Sequence, residues 1–459
     1  FRLSLRVGFV LLVLGGLALI VYAFVSDDPQ RRAGPVGEQG RPAAFERPSA
    51  RPEETEPAAG SGAGREPLSD DMRAEWVGFT HVLRDPEENR EEAVVEGERA
   101  VLRDKVYDIF GPLVTVWPTE GGHGQMEVKG ERGELDEANG LLRLFENVVA
   151  RGEDFEIRAD RVVYRVRERM LVSDEPVRIR KDKVDSDGNR TPALVVSGKG
   201  LTVEVALKNI TILEDVEAHL YDVSDDFLAA ALEEATDEGT SREVVITCDG
   251  EMVYQHLARK VDFFDNVRAV CGEKILSGDQ VTVLLGETEG KDKLEVSEIV
   301  AIGDAQLTYG DQVVRGEKLN WDNVTQTGVL TGAPCVLTTP EFEMTAQKLK
   351  FHRINDRFHV EGPGTLLWKA PPKEETAPQP APERPARSIG PSLLTADAPV
   401  EVIWATSMTY PVALHVATFE GQVTARQQKG SLNCRQLALT FEPDTNQIRK
   451  VEAEGDVVV

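Results

Sequence analysis

From Ala93 onward, apolar and polar positions alternate with a period of two, the pattern of half-buried β-strands. Leu201, Val203 and Val205 alternate with Thr202, Glu204 and Ala206. Leu349, Phe351 and Ile354 precede a turn at Asn355-Asp356, and Phe358 and Val360 follow it. Leu437, Leu439 and Phe441 run into Pro443-Asp444-Thr445-Asn446, a turn by its chemistry, before Ile448 and Val451. A short punctuation recurs between such runs: Glu146-Asn147-Val148, Glu214-Asp215-Val216, Asp265-Asn266-Val267, Gly303-Asp304-Ala305, Gly421-Gln422-Val423 and Gly455-Asp456-Val457. Proline forms stand at Gly111-Pro112, Glu175-Pro176, Gly332-Ala333-Pro334 and Gly362-Pro363. First strands begin at comparable residues: Gly130, Ala159, Gly198, Cys248, Gly278, Gly316, Ala346 and Cys434. This spacing, with a polar turn inside each unit, predicts antiparallel hairpins rather than the shorter coils of a parallel β-helix. The expected body is all-β, an elongated stack of roughly nine or ten hairpins sharing one apolar interior.

Two stretches interrupt the alternation. Ser224-Asp225 can cap a short helix over Phe227–Leu232. The prolines between Lys369 and Ser392 argue for a loop or linker. Repeats are therefore expected over 93–368 and again over 393–459, separated by the Pro-rich segment 369–392.

Ahead of the repeats, Val7 to Val25 form an uninterrupted apolar run. As a helix it spans about 28 Å, close to the bilayer core. Arg2 and Arg6 before it, with Asp27 and Asp28 after it, place residues 1–25 as a cytoplasmic stub and single-pass inner-membrane helix. A cleaved signal peptide is the alternative, since Val21-Tyr22-Ala23 loosely fits a cleavage site. Residues 26–92, rich in Pro, Gly, Glu and Arg, read as a flexible tether.

A net charge of -27, with no basic stripe, excludes nucleic acid as a partner. Cys248, Cys271, Cys335 and Cys434 fit neither a zinc site nor a dense disulfide framework. Cys248 and Cys271 fall in neighbouring strands and read either as a bridge or as buried thiols. The seven histidines show no metal-ligand spacing. His352 and His359 flank a turn and read as surface residues rather than ligands. No nucleophile-elbow, Walker or dinucleotide motif stands between a strand and a helix, so neither enzyme activity nor a cofactor is expected.

The unit Ala159-Asp160-Arg161-Val162-Val163-Tyr164, turn, Ser173-Asp174-Glu175-Pro176-Val177 recurs as Gly316-Glu317-Lys318-Leu319-Asn320-Trp321, turn, Leu330-Thr331-Gly332-Ala333-Pro334. It resembles the periplasmic lipopolysaccharide-export bridge family, the LptA/LptC and OstA-like group. The resemblance covers roughly Glu96 to Val459. It implies a β-jellyroll with an apolar groove that carries acyl chains of lipopolysaccharide, or a related lipid, towards the outer membrane. It further implies an inner-membrane ABC transporter as energy source and other jellyroll bridge proteins joined by edge-strand pairing, for which Val457–Val459 would suit.

Strand parity marks Phe145, Val148, Val216, Phe264, Val267, Trp321, Phe351, Phe419, Val423 and Phe441 as the inward groove candidates. Two other readings stand beside the carrier: an envelope scaffold whose core is dry, and a β-solenoid enzyme acting on polysaccharide.

Overall fold

The computed structural model describes residues 74–459 apart from 85–90, 118–125, 153–154, 185–189, 206–208, 224–241, 273, 288–293, 323, 353–356, 370–397, 429 and 443–447. The expected anchor, the short helix and nearly all of the Pro-rich segment lie outside the described residues. No described helix is long and apolar enough to cross a membrane.

The chain runs back and forth as antiparallel strands. β1 (Ala74–Arg84) and β2 (Glu91–Arg103) come first. The next pass is the collinear pair β3 (Val106–Phe110) and β4 (Leu113–Val116), and the one after it β5 (Met126–Lys129) and β6 (Arg132–Asp136). β7 (Leu141–Arg151), β8 (Phe155–Arg165), β9 (Met170–Val184), β10 (Arg190–Glu204) and β11 (Asn209–Val223) are unbroken. A third collinear pair, β12 (Arg242–Cys248) and β13 (Met252–Gln255), leads to β14 (Lys260–Cys271), β15 (Lys274–Glu287) and β16 (Leu294–Tyr309). β17 (Gln312–Asp322), β18 (Thr327–Thr338), β19 (Phe342–His352) and β20 (Arg357–Trp368) follow. The last are the pair β21 (Val400–Trp404) and β22 (Ser407–Pro411), then β23 (Val416–Gln427), β24 (Gly430–Phe441) and β25 (Ile448–Glu454). Each pass is hydrogen-bonded to the passes before and after it, so all the strands form one continuous sheet.

β1 corrects the expected tether over 26–92. It pairs with β2 from Ala74 to Arg84, and it buries only Phe79 and Leu83. Two widely spaced apolar residues are too weak an alternation to read as a strand.

The repeat punctuation also sits elsewhere than expected. It lies in the middle of long strands, not between hairpins. Register shifts fall between Phe145 and Val148 in β7, Phe264 and Val267 in β14, Ile302 and Ala305 in β16, and Glu420 and Val423 in β23. Glu146, Asn147, Asp215, Asp265, Asn266, Asp304 and Gln422 take left-handed backbone there, as do Gly303 and Gly421. These are β-bulges, which bend a strand without ending it. The supposed first-strand starts are the same bend on the intervening strands. Four of them are glycines, and at two of these a Cβ would strike the neighbouring backbone: one built on Gly198 comes 2.9 Å from the Glu214 carbonyl oxygen, and one on Gly316 equally close to that of Thr331.

A line of bends thus runs through the whole sheet and folds it in two. The proof is contact between opposite edges. Trp368, at the end of β20 on one rim of the sheet, stacks on Phe441, at the end of β24 on the opposite rim, with ring centroids 4.6 Å apart. Arg169 in the β8–β9 turn pairs with Glu92 at the far end of β2. Between the two halves, one core cluster runs from Phe79 to Phe441.

Candidate functional site

The interior is built by the inward residues of both halves. Its N-terminal part is aliphatic, with Leu135, Leu142, Leu144 and Val148 at 2% exposure or less. Its C-terminal part is aromatic. Trp321 and Phe351 stack at 5.5 Å across β18, over Gly328, which has no side chain to block them. Trp404 lies over Gly364, donates from Nε1 to the Gly362 carbonyl at 3.1 Å and meets Phe419 at 5.3 Å. Large rings need room, and glycines on the intervening strands supply it.

Of the ten groove candidates, Val148, Val216, Val267, Trp321, Phe351, Phe419, Val423 and Phe441 are buried in this core. Phe145 and Phe264 are not: they are only half-buried, and the core positions beside them are Leu144 and Phe263. Val148 and Val267 each stand four residues beyond Leu144 and Phe263, so a count by twos across the bulge leads to those core positions, while Phe145 and Phe264, three residues away, fall on the outer face. Phe145 instead lies beneath the guanidinium groups of Arg132 and Arg161, at 5.9 and 5.6 Å, in a charged surface hollow at the bend.

The interior is closed along the bend by continuous backbone. Opposite the bend, two rims of turns face each other, and among the described residues side-chain contacts join them. His81 Nε2 stands 3.8 Å from Glu137, while Glu92 and Arg169 form an ion pair in which Glu92 is 4% exposed. Burial, reinforced by the nearby Glu92 charge, pushes the Tyr164 phenol well above its ordinary value. The Trp368–Phe441 stack closes the C-terminal part. None of Phe263, Trp368, Trp404 or the Glu92–Arg169 pair was singled out from sequence. Phe263 could have been found by counting parity from Val261, whereas the rim contacts join residues far apart in the chain and leave no local pattern.

No cluster of His, Cys, Asp and Glu that could hold a metal occurs among the described residues. His352 and His359 turn to different partners, Thr327 and Thr409. All four cysteines are free and buried. Burial pushes the Cys248 thiol up to about 12 and that of Cys335 to about 11, so both stay protonated and unreactive.

Residues 95–222, from β2 to β11, match the family described as lipopolysaccharide-assembly, LptC-related. This part of the chain is similar to that family. That family belongs to the lipopolysaccharide-export bridge proteins, which are non-enzymatic transport components. Beyond the LptC-related segment, β12 to β25 continue the same bent antiparallel sheet. No curated protein matches the chain. Among solved structures, LptH of Pseudomonas aeruginosa, titled the LptA-homologous periplasmic component of the lipopolysaccharide transport device, matches at 12% identity and a TM-score of 0.21. That match covers 32% of this chain and 92% of LptH.

Proposed function

We propose that this protein is a membrane-anchored periplasmic carrier whose folded sheet is a jellyroll that shields the acyl chains of lipopolysaccharide, or a related lipid. The observation that carries this reading is the unbroken apolar interior, sealed on one side by backbone and on the other, among the described residues, by side chains at the rims. An acyl chain needs no more than such a lining, because each Å² of apolar surface withdrawn from water contributes about 25 cal/mol. The chain enters when the rims part and the facing core side chains give way to it. The headgroup stays in solvent, which suits a body of net charge -27 facing a phosphorylated lipid.

Val7–Val25 would hold the chain in the inner membrane. Movement would be driven by an ABC transporter, since this sequence carries no nucleotide motif. β1 and β25, the end strands of the described sheet, would pair with other bridge proteins through their free edges.

A ligand that binds only the folded state stabilises it by about 2.7 kcal/mol at a hundred times its dissociation constant. Lipopolysaccharide should therefore raise the melting temperature of the full chain, while its deacylated core oligosaccharide should not. Added salt should leave the effect unchanged or increase it, because salt screens the headgroup repulsion. No rise with lipopolysaccharide would defeat the carrier reading. The second reading, a scaffold with a dry core, draws on the tight packing of this interior, where Phe419 is 0% and Phe351 2% exposed.

A further inference from the structure

Turns that reverse a strand favour Gly, Asn, Asp, Ser and Pro, and an apolar side chain at a turn tip gains nothing from the core. One rim departs from this at regular places. Leu257 is 76% exposed in the turn 256–259, Val324 77% in the turn before β18, and Leu414 66% in the turn before β23. Apart from end strand β1 and the C-terminal residues, they are the most exposed large apolar side chains among the described residues. Four passes of the sheet separate each of these turns from the next. At strand spacing that is about 19 Å. The turns share a closing geometry, with a left-handed Arg259, Gln326 or His415. From β14 onward the opposite rim presents Gly272, Gly310-Asp311, Thr339-Pro340-Glu341 and Gln428 at described tips. Folding alone gives no reason for this asymmetry.

We infer that the first of these rims is the lip over which acyl chains pass, one at a time, into and out of the interior, with Leu257, Val324 and Leu414 as their contact points. This deepens the carrier reading and rests on it. Single chains, rather than the plane of a bilayer, fit the arrangement. A sheet twisting by about 20° per strand turns successive tips by about 80°, so the three cannot lie on one flat surface. They do remain at the mouth along its length.

The test places a photoreactive benzoylphenylalanine in the full chain at position 257, 324 or 414. Comparison sites are 311 and 428 on the opposite rim and 358 in the interior, and the probe is purified lipopolysaccharide. Crosslinks at the three lip sites and at 358, without crosslinks at 311 and 428, are the expected result. Equal labelling of both rims, or labelling at 358 without labelling at the lip, overturns the lip assignment alone. No labelling at 358 overturns the carrier reading and the lip with it. In the combined variant Leu257→Ser, Val324→Ser, Leu414→Ser, whose changes are all exposed, loading should slow by about tenfold. An unchanged loading rate overturns the proposal.

Discussion

Gly328 shows how closely the interior is specified at single residues. A Cβ built there falls 1.8 Å from Cζ of Phe351, whose ring stacks on Trp321. Gly328→Ala should therefore destabilise the protein by about 1–3 kcal/mol, read from chemical denaturation, because a filled core resists added volume. Charge at the surface acts more weakly and depends on pH. Hydrogen bonds from Lys348 and Lys350 hold the Glu361 carboxyl down at about 2, against an ordinary 4.5. A depressed carboxylate stabilises the fold fully above its ordinary value, and that contribution is lost as pH falls from 4.5 towards about 2. Urea midpoints across this window should fall more steeply for the wild type than for Glu361→Gln, and high salt should narrow the difference, as the site is exposed. Eight of the ten positions read as inward from alternation are buried in the core. Phe145 and Phe264 stand three residues before Val148 and Val267, so a strict count by twos passes over them to Leu144 and Phe263.

The elements of this fold are long strands with a bend in the middle, and the bend depends on residues that tolerate left-handed backbone. Asn147 has a φ of 52° and Glu146 of 63°. Asn147→Val puts a β-branched residue in that conformation and should cost about 1–2 kcal/mol, whereas Asn147→Gly should be close to neutral by the same denaturation measurement. The repeat itself was plain in the sequence, and so was its all-β character. Its meaning was misassigned for a physical reason. Glu-Asn, Asp-Asn and Gly-Asp supply left-handed conformations equally well to a turn that reverses a strand and to a bulge that bends one. Local chemistry marks both alike, and only pairing across several strands separates them.

At the scale of the molecule, bending brings two rims together that lie at opposite edges of the sheet. Their contacts hold the interior shut. Glu92→Gln removes the charge that pairs with Arg169 and should loosen the rim locally. Hydrogen exchange should quicken for amides at the start of β2 and in the turn 166–169, while amides along the bend stay as slow as before. Uniform acceleration would mean that the pair supports the whole sheet and is no seam. Nothing in the sequence announced this seam, since Glu92 and Arg169 are far apart in the chain and meet only after the sheet has folded over.

The central claim is that the interior of the folded sheet takes up acyl chains, and native mass spectrometry of the chain incubated with lipopolysaccharide measures it directly. The account predicts a discrete adduct of intact lipopolysaccharide that survives high salt and is absent with the deacylated core oligosaccharide. An unliganded mass in the presence of excess lipid would contradict it and leave a dry-cored scaffold.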